Sequence, residues 1–370
     1  MGLLFCAAAV VTFLSLPSEP DIGRASRFVD TGEVELARSE LDRILAEAPN
    51  HSAALLMKGH LLQSQRDFVA AVGCYNRISS DAPEFRQASL GQIQALLANF
   101  DLAEAERRMQ RHLEMFPDER TIWDELRWLC FNQFRTRDVV ELSRWWLKRN
   151  PADTEALTHL LLGVFRPQVP QEGTPYLHQV EASGGKQLPV LRALAWAAWQ
   201  SGHRDEAKRS LAEAWKTGAQ DPRTRLLSAE FLIEEQKFVE AARVLGPEPV
   251  TVPGEMFGQQ TDRWHWLRSR ILLEQKDFAA SLHQIEQALE LNVGNLKYIH
   301  EQAVLLKQLE RDLEAAAGFR KARTIEQCKK RFAEIAFSGD WEHSTPVLRQ
   351  EISQLYQQCG DELLAKLWRQ

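Results

Sequence analysis

Residues 52–85 read SAALLMKGHLLQSQRDFVAAVGCYNRISSDAPEF, and most of the chain varies this stretch. Pro49, Pro83, Pro117 and Pro151 are each 34 residues apart, and Ala37, Ala71 and Ala105 keep the same spacing. A fixed period of this size marks stacked supersecondary repeats. Within the stretch, residues 53–64 carry a first helix and Gln65-Arg66 a corner. Asp67 caps a second helix that reaches Ile78 and stops before Pro83. Gly59 and Ala71 are small where two helices must approach, while Leu55, Leu62, Phe68 and Tyr75 fill the space around them. Helices of about 12 to 15 residues are marginal alone in water. Each hairpin therefore depends on its neighbours to cover its apolar faces.

At 370 residues the chain exceeds one ordinary globular core, but a stack of repeats grows in one dimension and escapes that bound. The formal net charge of −6 argues against a surface built throughout for nucleic acid. Cys6, Cys74, Cys130, Cys328 and Cys359 are odd in number and scattered, with no C-x-x-C pair. They read as small buried hydrophobes rather than a disulfide framework. The histidines are equally dispersed, with no H-E-x-x-H, so no metal site is read. There is no G-x-S-x-G, no G-x-x-x-x-G-K-[ST] and no G-x-G-x-x-G. The sequence thus gives no catalytic site and no cofactor.

The repeated unit resembles a tetratricopeptide repeat (TPR), with Gly59, Ala71, Tyr75 and Pro83 at that family's signature places. Residues 86–119 keep Leu96, Ala105 and Pro117. Residues 120–153 keep Trp123, Leu126 and Pro151, with Val139 where alanine is usual. The resemblance implies an all-α fold, a right-handed α-solenoid of antiparallel helix hairpins forming a TPR-like superhelix. It implies a scaffold or adaptor for a protein partner and no enzyme, although a fold supplies only a surface.

Residues 1–17 read as a signal peptide or N-terminal membrane anchor, because residues 3–16, LLFCAAAVVTFLSL, are apolar and uncharged. The expected location is export or membrane attachment through this segment, and otherwise the cytoplasm. Membrane contact is expected through this segment alone. Residues 18–165 form the regular 34-residue array. Residues 166–323 form degenerate repeats with loops near 166–173 and 246–260. Thr174-Pro175 reads as a helix cap and first residue, as does Thr345-Pro346. Residues 324–370 form C-terminal capping helices, the first over 325–337 and the last two flanking Gly360.

In the family that the repeat resembles, the first helix of each hairpin lines the concave face. Taken in the register of residues 52–85, the inward positions of the early repeats carry no Lys or Arg. Those of the later repeats include Arg192, Trp196, Trp199, Arg223, Arg263, Trp266, Arg270, Lys297, His300 and Lys307. Basic and aromatic residues together suit a protein or peptide segment bearing carboxylate or phosphate groups. The same mixture would hold single-stranded nucleic acid. A regulatory part of an enzyme complex is the remaining alternative. Some family members hold the C-terminal carboxylate of heat-shock chaperones through a Lys and Asn clamp. The corresponding residues here are Leu56 and His60, which argues against that activity. Trp123, Trp128, Trp145 and Trp146 read mainly as core.

Overall fold

The computed structural model describes residues 22–165, 170–183, 187–218, 220–249, 260–338 and 345–369. Among them every regular element is an α-helix. The helices fall in two compact units, Met1–Asn99 and Phe100–Gln370. The first holds α1 (Gly23–Asp30), α2 (Val34–Glu47), α3 (Ser52–Ser64), α4 (Phe68–Tyr75) and α5 (Phe85–Ala98). α1 packs on α2, and α3 on α4, in consecutive hairpins. The aromatic ring of Tyr75 explains two of the glycines. A Cβ on Gly59 would fall 2.4 Å from Tyr75 Cε1, and one on Gly91 would fall 2.7 Å from Tyr75 Cζ. The buried ring packs against both helix backbones, and its hydroxyl donates to Gln63 Oε1 at 3.0 Å. Ala71 is fully buried, as a close helix approach requires.

The second unit holds α6 (Leu102–Met115), α7 (Arg120–Asn132), α8 (Thr136–Leu147), α9 (Thr154–Phe165), α10 (Pro170–Ala182), α11 (Leu188–Gln200) and α12 (Arg204–Thr217). It continues through α13 (Pro222–Glu234), α14 (Phe238–Leu245), α15 (Thr261–Glu274), α16 (Phe278–Leu291), α17 (Leu296–Gln308), α18 (Asp312–Ser338), α19 (Pro346–Gln358) and α20 (Glu362–Leu367). α7 and α8, α11 and α12, α13 and α14, α15 and α16, α17 and α18, and α19 and α20 pack as successive pairs. Both units are thus built as all-α stacks of helix hairpins.

The corners share one backbone feature. Gly32, Arg66, Phe100, Phe134, Gly202, Gln236, Lys276, Glu310 and Gly360 all have positive φ, between 56° and 81°. A left-handed residue turns the chain out of one helix and into the next, which is why glycine occupies some copies. Aspartate follows many of these corners as a cap. Asp67 accepts from Ala70 N at 3.1 Å, as read from the sequence, and Asp101, Asp277 and Asp361 repeat the arrangement. Thr345 likewise caps α19 ahead of Pro346.

Two sequence expectations are corrected. α10 begins at Pro170, not at Thr174-Pro175, so Pro175 sits inside the helix. The Thr174 hydroxyl donates to the Pro170 carbonyl in the turn where proline supplies no N–H. The expected break near residue 324 is also absent. α18 runs unbroken for 27 residues, through Gly318 and past residue 324, where no Gly or Pro stands to end it. Residues 1–17 lie outside the described residues, as do 166–169 and 250–259 of the expected loops. No described helix is long and apolar enough to cross a membrane.

Candidate interaction surface

The structure brings four of the inward-facing residues together. Arg192 and Trp196 of α11, Arg223 of α13 and Arg263 of α15 line one cavity of ≈ 460 Å³. Phe134, Arg135 and Arg137, from the corner and start of α8, form its other side. These arginines are already matched by carboxylates. Arg192 and Arg263 pair with Asp221 and Glu230, and Arg137 pairs with Asp262. Arg135 donates to Glu106 at 2.7 and 2.8 Å and to Asp138 at 2.5 Å. Arg223 lies 3.5 Å from Asp138 and is itself buried.

Burial sets the electrostatics here. It opposes charge on Arg135, but Asp138 and Glu106 override that cost and hold the guanidinium well above its ordinary value. For Glu106 burial again works against the charged form, yet Arg135 outweighs it and brings the carboxyl down to about 2. Arg192 goes the other way. Desolvation lowers its pKa, with Arg223 and Arg135 adding repulsion that Asp221 only partly offsets. The basic bias seen at the inward positions is therefore balanced by acids, most of them at other positions. Asp221 caps the start of α13, and Asp138 comes from α8.

The tryptophans divide. Trp199 and Trp266 are 3% and 4% exposed, so neither offers a ring face to a partner. Each instead ties one hairpin to the next. Trp199 Nε1 donates to Glu234 Oε2 at 2.5 Å, and Trp266 Nε1 donates to Glu301 Oε2 at 2.7 Å. Trp199 also stacks on Phe231, with centroids 3.9 Å apart. Trp196 is only partly buried and stacks on Phe134 at 5.0 Å. Trp123 and Trp146 are buried and stacked on each other, whereas Trp128 is 43% exposed.

The open part of the surface lies on α15 and α17. Lys297, His300 and Lys307 are exposed on α17. Lys297 Nζ sits 3.7 Å from the centre of the Trp266 ring, where desolvation lowers its pKa against the pull of Glu230 and Glu301. His300 meets Phe319 edge-on. Arg270 of α15 reaches Glu301 at 3.2 Å and keeps 37% of its side chain exposed. Among the described residues no carboxylate pairs with Lys307.

The sequence reading missed Phe134, Arg135, Arg137 and Gln187. Phe134 had a visible signal, an aromatic residue at a corner where other copies have Gly32 or Gly202. Its left-handed backbone, with φ 57°, places the ring against Trp196. Gln187 had none, since its amide reaches back across the chain. Its Oε1 accepts from Leu102 N at 2.8 Å and Ala103 N at 3.2 Å, while its Nε2 donates to the Phe100 carbonyl.

Residues 56–120 match the model of the tetratricopeptide repeat family. No curated protein matches the sequence. Among solved structures, a tetratricopeptide repeat protein from Parabacteroides merdae is 14% identical, with a TM-score of 0.34 over 77% of this chain and 97% of that one. Yeast Tom70 is 13% identical, with a TM-score of 0.34 over 89% and 91%. The Cut9–Hcn1 hetero-tetramer of APC/C is 11% identical, with a TM-score of 0.38 over 92% and 77%. The family match places tetratricopeptide repeats at residues 56–120, and helix hairpins occur on both sides of that stretch in the sequence.

Proposed function

We propose that the protein is a non-catalytic interaction scaffold that holds a segment of a partner protein against the exposed faces of α15 and α17. One observation carries the reading. Lys297, His300 and Lys307 remain exposed along α17, next to Arg270, whereas Arg192, Arg223 and Arg263 are taken up by carboxylates of the chain itself. A preformed helical surface orders mainly the partner on binding, which limits the entropic cost. The chemistry suits an acidic segment with apolar residues between its charges. Its carboxylates would meet Lys297 and Lys307.

A peptide array of acidic–apolar 12-mers, each beside a copy with Gln for Glu and Asn for Asp, tests this. Fluorescence anisotropy of the best binders then compares wild type with Lys297→Glu and Lys307→Glu. The reading requires preference for the acidic copies, loss of binding by at least about tenfold in the double variant, and an unchanged Tm. Indifference of the array to the acids, or full binding by the double variant, overturns it.

A further inference from the structure

Cys328 and Cys359 are far apart in the sequence, and neither belongs to a C-x-x-C pair. The fold brings them together. Cys328 lies on α18 with 2% of its surface exposed, and Cys359 ends α19, which packs on α18. The two thiols are in hydrogen-bonding contact. Cys328 Sγ also donates at 3.2 Å to Gln358 Oε1, the residue beside Cys359. One turn before Cys328, Ile325 packs with Ala322 and Ile299, and Cys359 lies against that cluster. Cys74 and Cys130 are buried elsewhere, on α4 and α7. A disulfide forms without backbone movement only where two cysteine side chains already face each other. The contact between the Cys328 and Cys359 thiols, and that of Cys328 Sγ with Gln358, bring the two side chains together.

We propose that Cys328 and Cys359 form a disulfide that fastens the C-terminal hairpin, α19 and α20, to α18. The oxidant is a low-molecular-weight disulfide or a thiol–disulfide oxidoreductase. The Cys359 thiolate attacks the oxidant's disulfide, forming a mixed disulfide and releasing one thiolate. The Cys328 sulfur, after losing its proton, then attacks Cys359 Sγ. The protein disulfide forms as the second oxidant thiolate leaves. The two cysteines have lost two protons and two electrons, and the oxidant has become two thiols.

The roles of the two sulfurs follow from access. Cys359 is half-buried and lines an open cavity of ≈ 570 Å³ with Lys329, Gly360 and Asp361, so it is the sulfur that an outside disulfide can reach. Cys328 is closed off and acts second. Burial pushes both thiols up, and Cys328 adds to the rise at Cys359, which reaches about 12. The folded dithiol is therefore slow to react at neutral pH, and the bond forms most readily as the C-terminal hairpin docks during folding. In the reduced state the same hairpin is held by packing, with Tyr356 against Phe332 at 4.6 Å, and by the Arg331–Glu351 ion pair at 2.6 Å.

Oxidative refolding of the full chain tests the proposal. The protein is unfolded, reduced, and refolded in a mixture of reduced and oxidised glutathione. It is then alkylated and examined by intact mass and by peptide mapping. The proposal requires a cross-linked peptide pair that joins Cys328 to Cys359. The protein must also be lighter by two alkyl groups than the reduced, fully alkylated chain. Its Tm should exceed that of the reduced protein by roughly 5 °C, and this difference should vanish in Cys328→Ser and in Cys359→Ser. Full alkylation of both cysteines after oxidative refolding, or linkage of either to Cys6, Cys74 or Cys130, overturns it. Should the serine variants fail to fold, the wild-type peptide map decides alone.

Discussion

Asp262 is 1% exposed, and its carboxylate accepts from Arg137, 125 positions earlier in the chain. The same carboxylate accepts from Asn292 Nδ2 at 3.1 Å and from the Tyr298 hydroxyl at 3.3 Å. One buried acid thus joins α8, α15, the turn after α16, and α17. Removing one partner of a buried pair strands the other. Asp262→Ala is therefore expected to destabilise the second unit by about 3 kcal/mol, measured by urea unfolding. In a double-mutant cycle with Arg137→Ala, the coupling should be on the order of 1–3 kcal/mol. Additive single mutants would show that the pair contributes nothing.

Glu106 supplies a pH dependence. Its carboxyl falls from 4.5 in the unfolded chain to about 2 in the folded protein, because Arg135 outweighs the burial cost. A depressed folded pKa gives stability that is fully present above the unfolded value and is lost as pH falls through the folded one. Between about pH 4.5 and pH 2 the wild type should lose roughly 3 kcal/mol from this group. Glu106→Gln should be less stable at pH 7 and show a shallower acid slope. Equal acid slopes in the two proteins would refute the assignment.

Gly59 and Gly73 belong to the same hairpin and should respond in opposite directions. A Cβ on Gly59 meets the Tyr75 ring at 2.4 Å, whereas one on Gly73 meets nothing within 4 Å. Gly59→Ala should destabilise by about 1–3 kcal/mol through overpacking. Gly73→Ala should stabilise by roughly 0.5–1 kcal/mol, because alanine restricts the unfolded chain at a helical site. Thermal melts of both variants check this.

Trp266 and Lys307 separate folding from binding. Trp266 is 4% exposed and hydrogen-bonded to Glu301, so Trp266→Ala should cost about 3–5 kcal/mol of stability. Lys307 is exposed, and Lys307→Ala should leave the Tm within about a degree. If the α15–α17 surface holds the partner segment, Lys307→Ala should still weaken capture of an acidic peptide. Calorimetric melting and anisotropy on the same preparations distinguish the two effects.

The sequence by itself determined the hairpins. The spacing of Pro49, Pro83, Pro117 and Pro151 set the register. Gly59 and Ala71 marked the close helix approach, and Asp67 marked a helix start. Helix patterning and capping act over a few residues, so they are written in the local sequence. Pairing across distant repeats is not. No local pattern predicts that Asp138 meets Arg223, that Gln187 caps α6, or that Cys328 contacts Cys359. Counting inward positions found Arg192 and Arg223 but not Asp221 and Asp138, which lie against them, because those acids sit on a cap and on α8. Only the tertiary structure decided which cations are consumed inside the protein and which, like Lys307, stay exposed to solvent. Charge balance depends on the distance between side chains, and repeat register fixes that distance only within a hairpin.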